Sequence, residues 1–124
     1  MNINLETPST RLYFRHYEPG LITTNKEKYT SSIIMTSKDL VSSNWTPKSF
    51  DELTVDSFSD ILKMDIEVVL LGTGSKQHIP SNDIFTAFFK HQKSVDFMSS
   101  HAACSTFNIL ADEGRAVLAA IIVE

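Results

Sequence analysis

A run of eight apolar residues from Ala116 to Val123 limits most strongly the folds that this chain can adopt. Successive side chains of a β-strand point to opposite faces, so the odd-numbered positions of this run would lie on one face and the even-numbered positions on the other. Both sets are apolar, and a strand of this kind must be covered on both faces. The sequence therefore predicts that Arg115 to Val123 form a central strand with packed layers on each side.

The segments before this run alternate between strand and helix patterns. β-branched and aromatic residues predict strands at Leu12–Phe14, Leu21–Thr24, Tyr29–Thr36, Leu40–Trp45, Ile66–Leu71 and Val95–Met98. Capping residues and helical spacing predict helices over Ser57–Lys63 after an Asp56 cap, from Ser81 or Asn82 to about His91, and from Ser99 or Ser100 to a Gly114 stop. This alternation is typical of an α/β domain with a mixed sheet.

The composition indicates one domain and excludes several classes of protein. The chain has 124 residues, 42% of them hydrophobic, which suffices for one core but not for two well-built domains. Residues 1–10 are polar and aperiodic and are predicted to be a flexible tail, which leaves residues 11–124 as the domain. The formal net charge of -4 argues against a nucleic-acid partner. With no secretory signal and no apolar run near the roughly 20 residues of a membrane-spanning helix, we expect a cytoplasmic protein without a membrane partner.

The sequence Gly72-Thr73-Gly74, directly after an apolar strand, could suggest a nucleotide site. A dinucleotide-binding motif needs a third glycine and a helix that begins within the motif, and a phosphate-binding Walker loop ends in Gly-Lys-Ser or Gly-Lys-Thr. Neither pattern is complete here, because the residues from Ser75 to Pro80 intervene before any helix can begin. A tight turn with glycines at positive φ is the favoured interpretation, and no cofactor is expected.

Cys104 is the one candidate nucleophile of the chain. His101 lies three residues before it and Asn108 four residues after it, so the three side chains share one side of a helix. Catalytic Cys-His-Asn groups usually converge from separate elements, and Cys104 lies about a turn into its helix, where the dipole no longer lowers a thiol pKa much. We therefore predict a small buried thiol and assign no catalytic residue.

If the domain binds a small ligand, the topology predicts where. The strands that end at Gly72 and at Met98 are joined by a helix, so they should be parallel neighbours with their carboxyl ends at one edge. That edge would gather the ligand-binding candidates, which are Gly72, Thr73, Gly74, Ser99, Ser100 and His101. Free amides at a helix start favour an anion. The alternative is that Ser99 only caps its own helix and the crevice holds water.

The remaining candidates are interpreted structurally. Glu113 and Arg115 are predicted to pair and, with Gly114, to fix the turn from helix to strand. The four histidines show no ligand spacing, so no metal is expected. A stripe that includes Phe85, Phe88 and Phe89 is predicted to lie in the core. For Trp45 the sequence leaves both a core position and an exposed anchor open.

An ordered series of residues resembles a known family. Gly72-Thr73-Gly74 and Pro80 are followed by Ala102-Ala103-Cys104 and by the tract from Thr106 to Arg115, and these are similar to the Mth938-like domains, also called DUF498. The resemblance implies a single three-layer α/β domain with about five strands in a mixed sheet, to which the N-terminal half adds a small β extension. It covers nearly the whole chain from Arg11.

The resemblance implies no established reaction, but it bears on function. The family includes a mitochondrial complex I assembly factor and an adipogenesis-associated cytosolic protein. Three positions depart from the family pattern, in which Thr is usual at Ser100, Arg at Ser105 and Tyr at Phe107. We expect a non-catalytic domain that binds another protein in the manner of an assembly factor. The alternative is an enzyme or small-ligand binder with its site near Gly72-Thr73-Gly74.

Overall fold

The computed structural model describes residues 11–124, so the predicted tail over residues 1–10 lies outside the described part. The strands are β1 (Phe14–Glu18), β2 (Leu21–Thr24), β3 (Lys28–Tyr29), β4 (Ser32–Thr36), β5 (Leu40–Trp45), β6 (Val68–Gly72), β7 (Ser94–Met98) and β8 (Val117–Ile121). The α-helices are α1 (Ser59–Leu62), α2 (Asn82–Lys90) and α3 (Ser100–Asp112), and short 3-10 turns span Phe50–Glu52 and Val55–Phe58.

Strand β8 lies at the centre of a five-stranded mixed sheet, in the order β5-β4-β8-β6-β7. It pairs antiparallel with β4 and parallel with β6. Strand β6 in turn pairs parallel with β7, and Gly72 lies opposite Met98. The predicted central strand and the predicted parallel neighbours are therefore both confirmed. Strands β1, β2 and β3 form a separate antiparallel sheet, which is the small β extension.

Two apolar cores cover the faces of the central sheet. On one face, the odd-numbered residues of β8, such as Ile121, pack with Phe107 of α3 and Phe14 of β1. On the other face, the even-numbered residues, such as Leu118, pack with Phe58 and with Phe88 of α2. All five residues of β8 are buried. The domain thus has the predicted three layers, with helices on both faces of the sheet.

Three predictions for the N-terminal half are wrong in detail. The strand predicted at Leu12–Phe14 begins only at Phe14 and continues to Glu18. The single strand predicted over Tyr29–Thr36 is two strands in different sheets, because Tyr29 pairs with Ile22 of the small sheet whereas Ile33 pairs with Ile121 of the central one. The chain bends between them to change sheets.

The helix predicted from an Asp56 cap also begins differently. A 3-10 turn spans Val55–Phe58 before the short α1, and Thr54 precedes that turn. The Thr54 N–H donates to Ser57 Oγ at 3.1 Å, so these two residues and not Asp56 form the start. A serine hydroxyl that binds the backbone locally favours such a turn over a regular helix.

Trp45, which the sequence left open, belongs to the core. Its ring is buried and packs edge-on against Phe58 with centroids 5.7 Å apart. The indole N–H donates to the carbonyl of Ser57 at 2.9 Å, so the buried ring has its polar atom satisfied.

Candidate functional site

The glycine turn (Gly72–Gly74) and the start of α3 lie against each other, as predicted for the candidate anion site. The N–H of Gly74 donates to Ser100 Oγ at 2.9 Å, and the N–H of Ser100 donates to the carbonyl of Gly74 at 2.7 Å. Ser100 Oγ also donates to the carbonyl of Ile122 at 2.7 Å. Ser100 is fully buried. These donors therefore bind protein groups at the point where the sequence predicts an anion.

Glycine is required at position 72 by this contact. A Cβ on Gly72 would lie 2.8 Å from the Cα of Ser100 and 3.1 Å from Ile121 Cδ1. A real Cβ does not approach a backbone carbon so closely, so the helix start would have to move. The prediction that the glycines take positive φ is confirmed for Gly74, which has φ of +103°, and is wrong for Gly72, which is the last residue of β6 and has no positive φ.

Thr73 and Ser99 also bind the backbone nearby. Thr73 is buried, and its hydroxyl lies 2.6 Å from the carbonyl of Lys76 and accepts from the N–H of His78 at 3.1 Å. Ser99 caps α3, because its side chain accepts from the N–H of Ala102 at 3.3 Å. Binding of an anion at the glycine turn stays a prediction, and the anion would have to displace or supplement these bonds.

Cys104 lies on α3 with only 5% of its surface exposed, so its predicted burial is confirmed. Burial raises the pKa of the Cys104 thiol to about 12. A reactive cysteine needs a lowered pKa, because the thiolate is the nucleophile. The environment of Cys104 therefore favours a neutral thiol at physiological pH.

Asn108 has a structural task of its own. Its side-chain oxygen accepts from the N–H of Phe14 at 2.9 Å, and its side-chain nitrogen donates to the carbonyl of Phe14 at 2.7 Å. The amide thus pairs with the backbone of β1 as a neighbouring strand would, and it joins the small sheet to α3. The same two bonds occupy the amide group that a Cys-His-Asn site would need.

His101 is exposed and lines a cavity of about 140 Å³ between β1 and α3, which we call the β1–α3 cavity. The cavity is bounded by residues 14–17 of β1 and by one side of α3, namely His101, Cys104, Ser105 and Asn108. Of the six predicted ligand-binding residues, His101 is the one that lines this cavity. Sequence reasoning missed the contribution of β1, because no local pattern places residues 14–17 against α3.

The turn that follows α3 forms by backbone bonds and not by the predicted pairing of Glu113 with Arg115. Gly114 has φ of +83°, and the N–H groups of Gly114 and Arg115 donate to the carbonyls of Ala111 at 3.0 Å and Leu110 at 3.1 Å. This is a glycine-terminated helix end. Arg115 Nε lies 3.4 Å from Glu67 Oε1 instead, because the chain turns from α3 into β8, which runs beside β6.

The segment after β8 is held by residues far away in sequence. The hydroxyl of Tyr17 donates to the backbone oxygen of Glu124 at 2.7 Å, and the N–H of Val123 donates to Ser32 Oγ at 3.0 Å. Burial raises the pKa of the Tyr17 phenol, while its hydrogen bond with Ser100 acts in the opposite direction. No local pattern around Tyr17 or Ser32 indicates a partner at the end of the chain, so these contacts could not be predicted from the sequence.

Helix α2 exposes part of the aromatic stripe that the sequence places in the core. Ile84 and Phe88 are buried, but Phe85 is 38% exposed and Phe89 is 82% exposed. Phe85 packs edge-on against Phe97 of β7, with ring centroids 4.8 Å apart. Because β7 is an edge strand, the sheet ends there and does not reach Phe89. The core prediction is therefore wrong for Phe85 and for Phe89, and it is confirmed for Phe88.

Residues 11–124 contain neither a metal-binding cluster nor a membrane-spanning helix. Within this part of the chain, no three side chains of His, Cys, Asp or Glu are grouped so that they could hold a metal ion. None of its helices has the length and apolarity needed to cross a membrane.

Comparison with known families identifies the chain. A sequence profile of the family described as "Protein of unknown function (DUF498/DUF598)" matches residues 14–122. The chain belongs to this family. The predicted resemblance is thereby confirmed over almost the whole described domain.

Two relatives of this DUF498 protein are informative. It is 30% identical over 122 residues to the "13 kDa major membrane protein" of Francisella tularensis, covering 98% of this chain and 99% of the relative. It is 35% identical over 80 residues to a human protein named NADH dehydrogenase (ubiquinone) 1 alpha subcomplex assembly factor 3. That match covers 63% of this chain and 44% of the human protein, so the chain corresponds to less than half of that relative.

The structural comparison supports the fold. The solution structure of a Mth938-like domain from Bordetella pertussis superimposes with a TM-score of 0.81, covering 99% of this chain and 92% of that one. At 22% sequence identity, this likeness concerns the fold alone.

Proposed function

We propose that this DUF498 protein is a non-catalytic, protein-binding domain of the assembly-factor type, which acts in the cytoplasm. The observation that carries the proposal is the exposed aromatic surface of α2. The relatives named as assembly factors support a role of this kind. The buried, high-pKa thiol of Cys104 and the structural use of Asn108 support a role without catalysis.

The binding surface is the outer side of α2, which we call the α2 face and define by Phe85 and Phe89. Phe89 is 82% exposed. Complete burial of a phenylalanine side chain stabilises a protein or a complex by about 1.5–3 kcal/mol, so a partner that covers Phe89 would gain most of this free energy. Exposed aromatic residues of this kind are enriched at protein interfaces and often dominate their binding energy. Phe97 supports the ring of Phe85 from below, so the surface is preformed.

The partner should present apolar side chains and not a free β-strand. An incoming strand would pair with the outer edge of β7. At that edge the side chain of Gln77 already donates to the carbonyl of Phe97 at 3.1 Å. A partner segment that packs its side chains onto the α2 face avoids this obstacle and buries Phe89.

The test compares two exposed apolar residues on different helices. Phe89→Ser removes the aromatic ring of the α2 face, and Ile109→Ser is the matched control, since Ile109 is 60% exposed on α3. Each variant and the native protein would capture partners from the source organism, and the captured partner would then be purified and its Kd measured. We expect at least a tenfold weaker Kd for Phe89→Ser and an unchanged Kd for Ile109→Ser. Equal binding by all three proteins would contradict the assignment of the α2 face.

A further inference from the structure

A β-bulge in β1 directs two basic side chains to the same side of the strand. In the pairing of β1 with β2, Phe14 lies opposite Thr24 and His16 lies opposite Thr23, so Arg15 is an extra residue. Without the bulge, alternation would place Phe14 and His16 on one face. With it, Phe14 and Tyr17 are buried, while Arg15 and His16 are both exposed. Bulges often re-aim side chains next to functional sites.

Arg15 and His16 both line the β1–α3 cavity, and α3 contributes a third basic side chain on the opposite wall. His101 and the hydroxyl-bearing Ser105 lie on that wall. Three side chains that can carry positive charge thus surround one small cavity in a chain whose formal net charge is -4. The floor includes the thiol of Cys104, which is neutral and adds no opposing charge.

The basic side chains that line the cavity differ in how many hydrogen-bond or ion-pair partners they already have within the protein. His16 Nε2 lies 3.0 Å from Glu18 Oε1, so one nitrogen of that ring is occupied. The guanidinium of Arg15 lies over the ring of Tyr13 and is 3.5 Å from its hydroxyl, which leaves several of its five N–H donors available. Among residues 11–124, the side chain of His101 has no hydrogen-bond or ion-pair partner.

We propose that the β1–α3 cavity binds a small oxyanion of the phosphate or carboxylate class, held by Arg15 and His101. A guanidinium matches the oxygens of either group with paired hydrogen bonds. The imidazole of His101 and the hydroxyl of Ser105 donate from the α3 wall. The cavity volume of about 140 Å³ is below the roughly 300–1,000 Å³ of pockets for drug-sized molecules, so the ligand is an ion or a small acid.

This site is distinct from the glycine turn. The candidate donors at the glycine turn, the N–H of Gly74 and the hydroxyl of Ser100, already bind protein atoms. The proposal is also independent of partner binding at the α2 face, because neither Phe85 nor Phe89 lines the β1–α3 cavity.

The experiment is a titration of the isotope-labelled protein followed by amide NMR. Sodium phosphate and sodium acetate are the two probes, and sodium chloride at equal ionic strength is the reference. We expect saturable shifts of the amides of Arg15, His16 and Ser105 with at least one probe. Arg15→Gln and His101→Gln should each weaken the measured Kd at least tenfold. Arg115→Gln is the matched control and should bind as the native protein does, since its ion pair with Glu67 lies elsewhere.

The possible outcomes separate clearly. All three substituted residues are largely solvent-accessible, so well-dispersed spectra should show that the variants fold. Shifts that rise linearly and match those of chloride would overturn the proposal. So would an undiminished affinity of Arg15→Gln, or saturable shifts confined to Thr73 and Gly74, which would place the anion at the glycine turn.

Discussion

Ser100 and Gly74 are joined by two reciprocal hydrogen bonds. The Gly74 N–H donates to Ser100 Oγ at 2.9 Å, and the Ser100 N–H donates to the Gly74 carbonyl at 2.7 Å. The same hydroxyl donates to the carbonyl of Ile122 at 2.7 Å. One buried side chain therefore connects the first residue of α3 with the segments that follow two adjacent strands, β6 and β8.

The first prediction concerns this hydroxyl. Ser100→Ala leaves the Gly74 N–H and the Ile122 carbonyl without their partner in a buried place. An unsatisfied buried polar group costs about 1–3 kcal/mol, so we expect the free energy of unfolding to fall by about that amount. Ser105→Ala is the control, because Ser105 is exposed and its hydroxyl has no hydrogen-bond partner among residues 11–124. It should change stability by about 0.5 kcal/mol or less. Urea unfolding measures both, and equal midpoints would refute the role of Ser100.

The second prediction separates crowding from backbone strain at two glycines. Gly72→Ala places a Cβ 2.8 Å from the Cα of Ser100, and backbone cannot yield as a side chain can. We expect a loss at the upper end of about 1–3 kcal/mol or beyond. The Cβ added by Gly114→Ala would have no atom within 4 Å, but the φ of +83° at this position is strained for alanine. We expect this strain to lower the free energy of unfolding by roughly 1–2 kcal/mol. Thermal and urea unfolding should rank Gly72→Ala as the more damaging, and the reverse order would be inconsistent with crowding.

The sequence was sufficient to predict the architecture because the signals for it are local. The apolar run that contains β8 has no polar residue, so two-sided burial followed from alternation alone. The parallel neighbours β6 and β7 followed from the helix between them. The prediction failed between Tyr29 and Ser32, where the residues favour a strand throughout. Only the pairing with distant strands shows that the chain changes sheets there.

The third prediction tests the two-sided burial of the central strand. Ile121→Asp places a carboxylate where no surface is exposed, between the sheet and α3. Burying an unpaired charge costs several kcal/mol, which approaches the whole stability of a small domain. We expect an insoluble or unfolded protein by circular dichroism. Ile109→Asp is the matched control on the exposed side of α3 and should melt cooperatively near the native temperature. A cooperatively melting Ile121→Asp protein would disprove the central position.

The candidate sites were less predictable, since their geometry depends on contacts between distant residues. Asn108 binds the backbone of Phe14, which is 94 positions away, and no pattern near either residue announces this. The exposure of Phe89 depends on the position of α2 beside an edge strand, whereas helical spacing alone assigns it to the core. The basic wall of the β1–α3 cavity depends on the bulge at Arg15, which has neither a glycine nor a proline to mark it.

The last prediction concerns Cys104 and pH. Burial raises the pKa of its thiol to about 12 from an ordinary value of 9.0. Below pH 9 the thiol keeps its proton in the folded and unfolded states alike, so the group adds no pH dependence. Above pH 9 the unfolded state loses the proton while the folded state retains it. Stability therefore falls as pH rises toward 12, by about 1.4 kcal/mol for each pH unit.

The measurement compares the native protein with Cys104→Ala at pH 8 and at pH 10. Lysines and tyrosines titrate in both proteins, so their contribution cancels in the difference. The native protein should lose about 1 kcal/mol more than Cys104→Ala between the two pH values, as measured by urea unfolding. A thiol reagent at neutral pH should also label the folded native protein far more slowly than the unfolded one. The contrary outcome is an equal loss of unfolding free energy in the two proteins together with rapid stoichiometric labelling of the folded protein. That result would mean that Cys104 is accessible and ionises readily, and it would restore Cys104 as a candidate nucleophile.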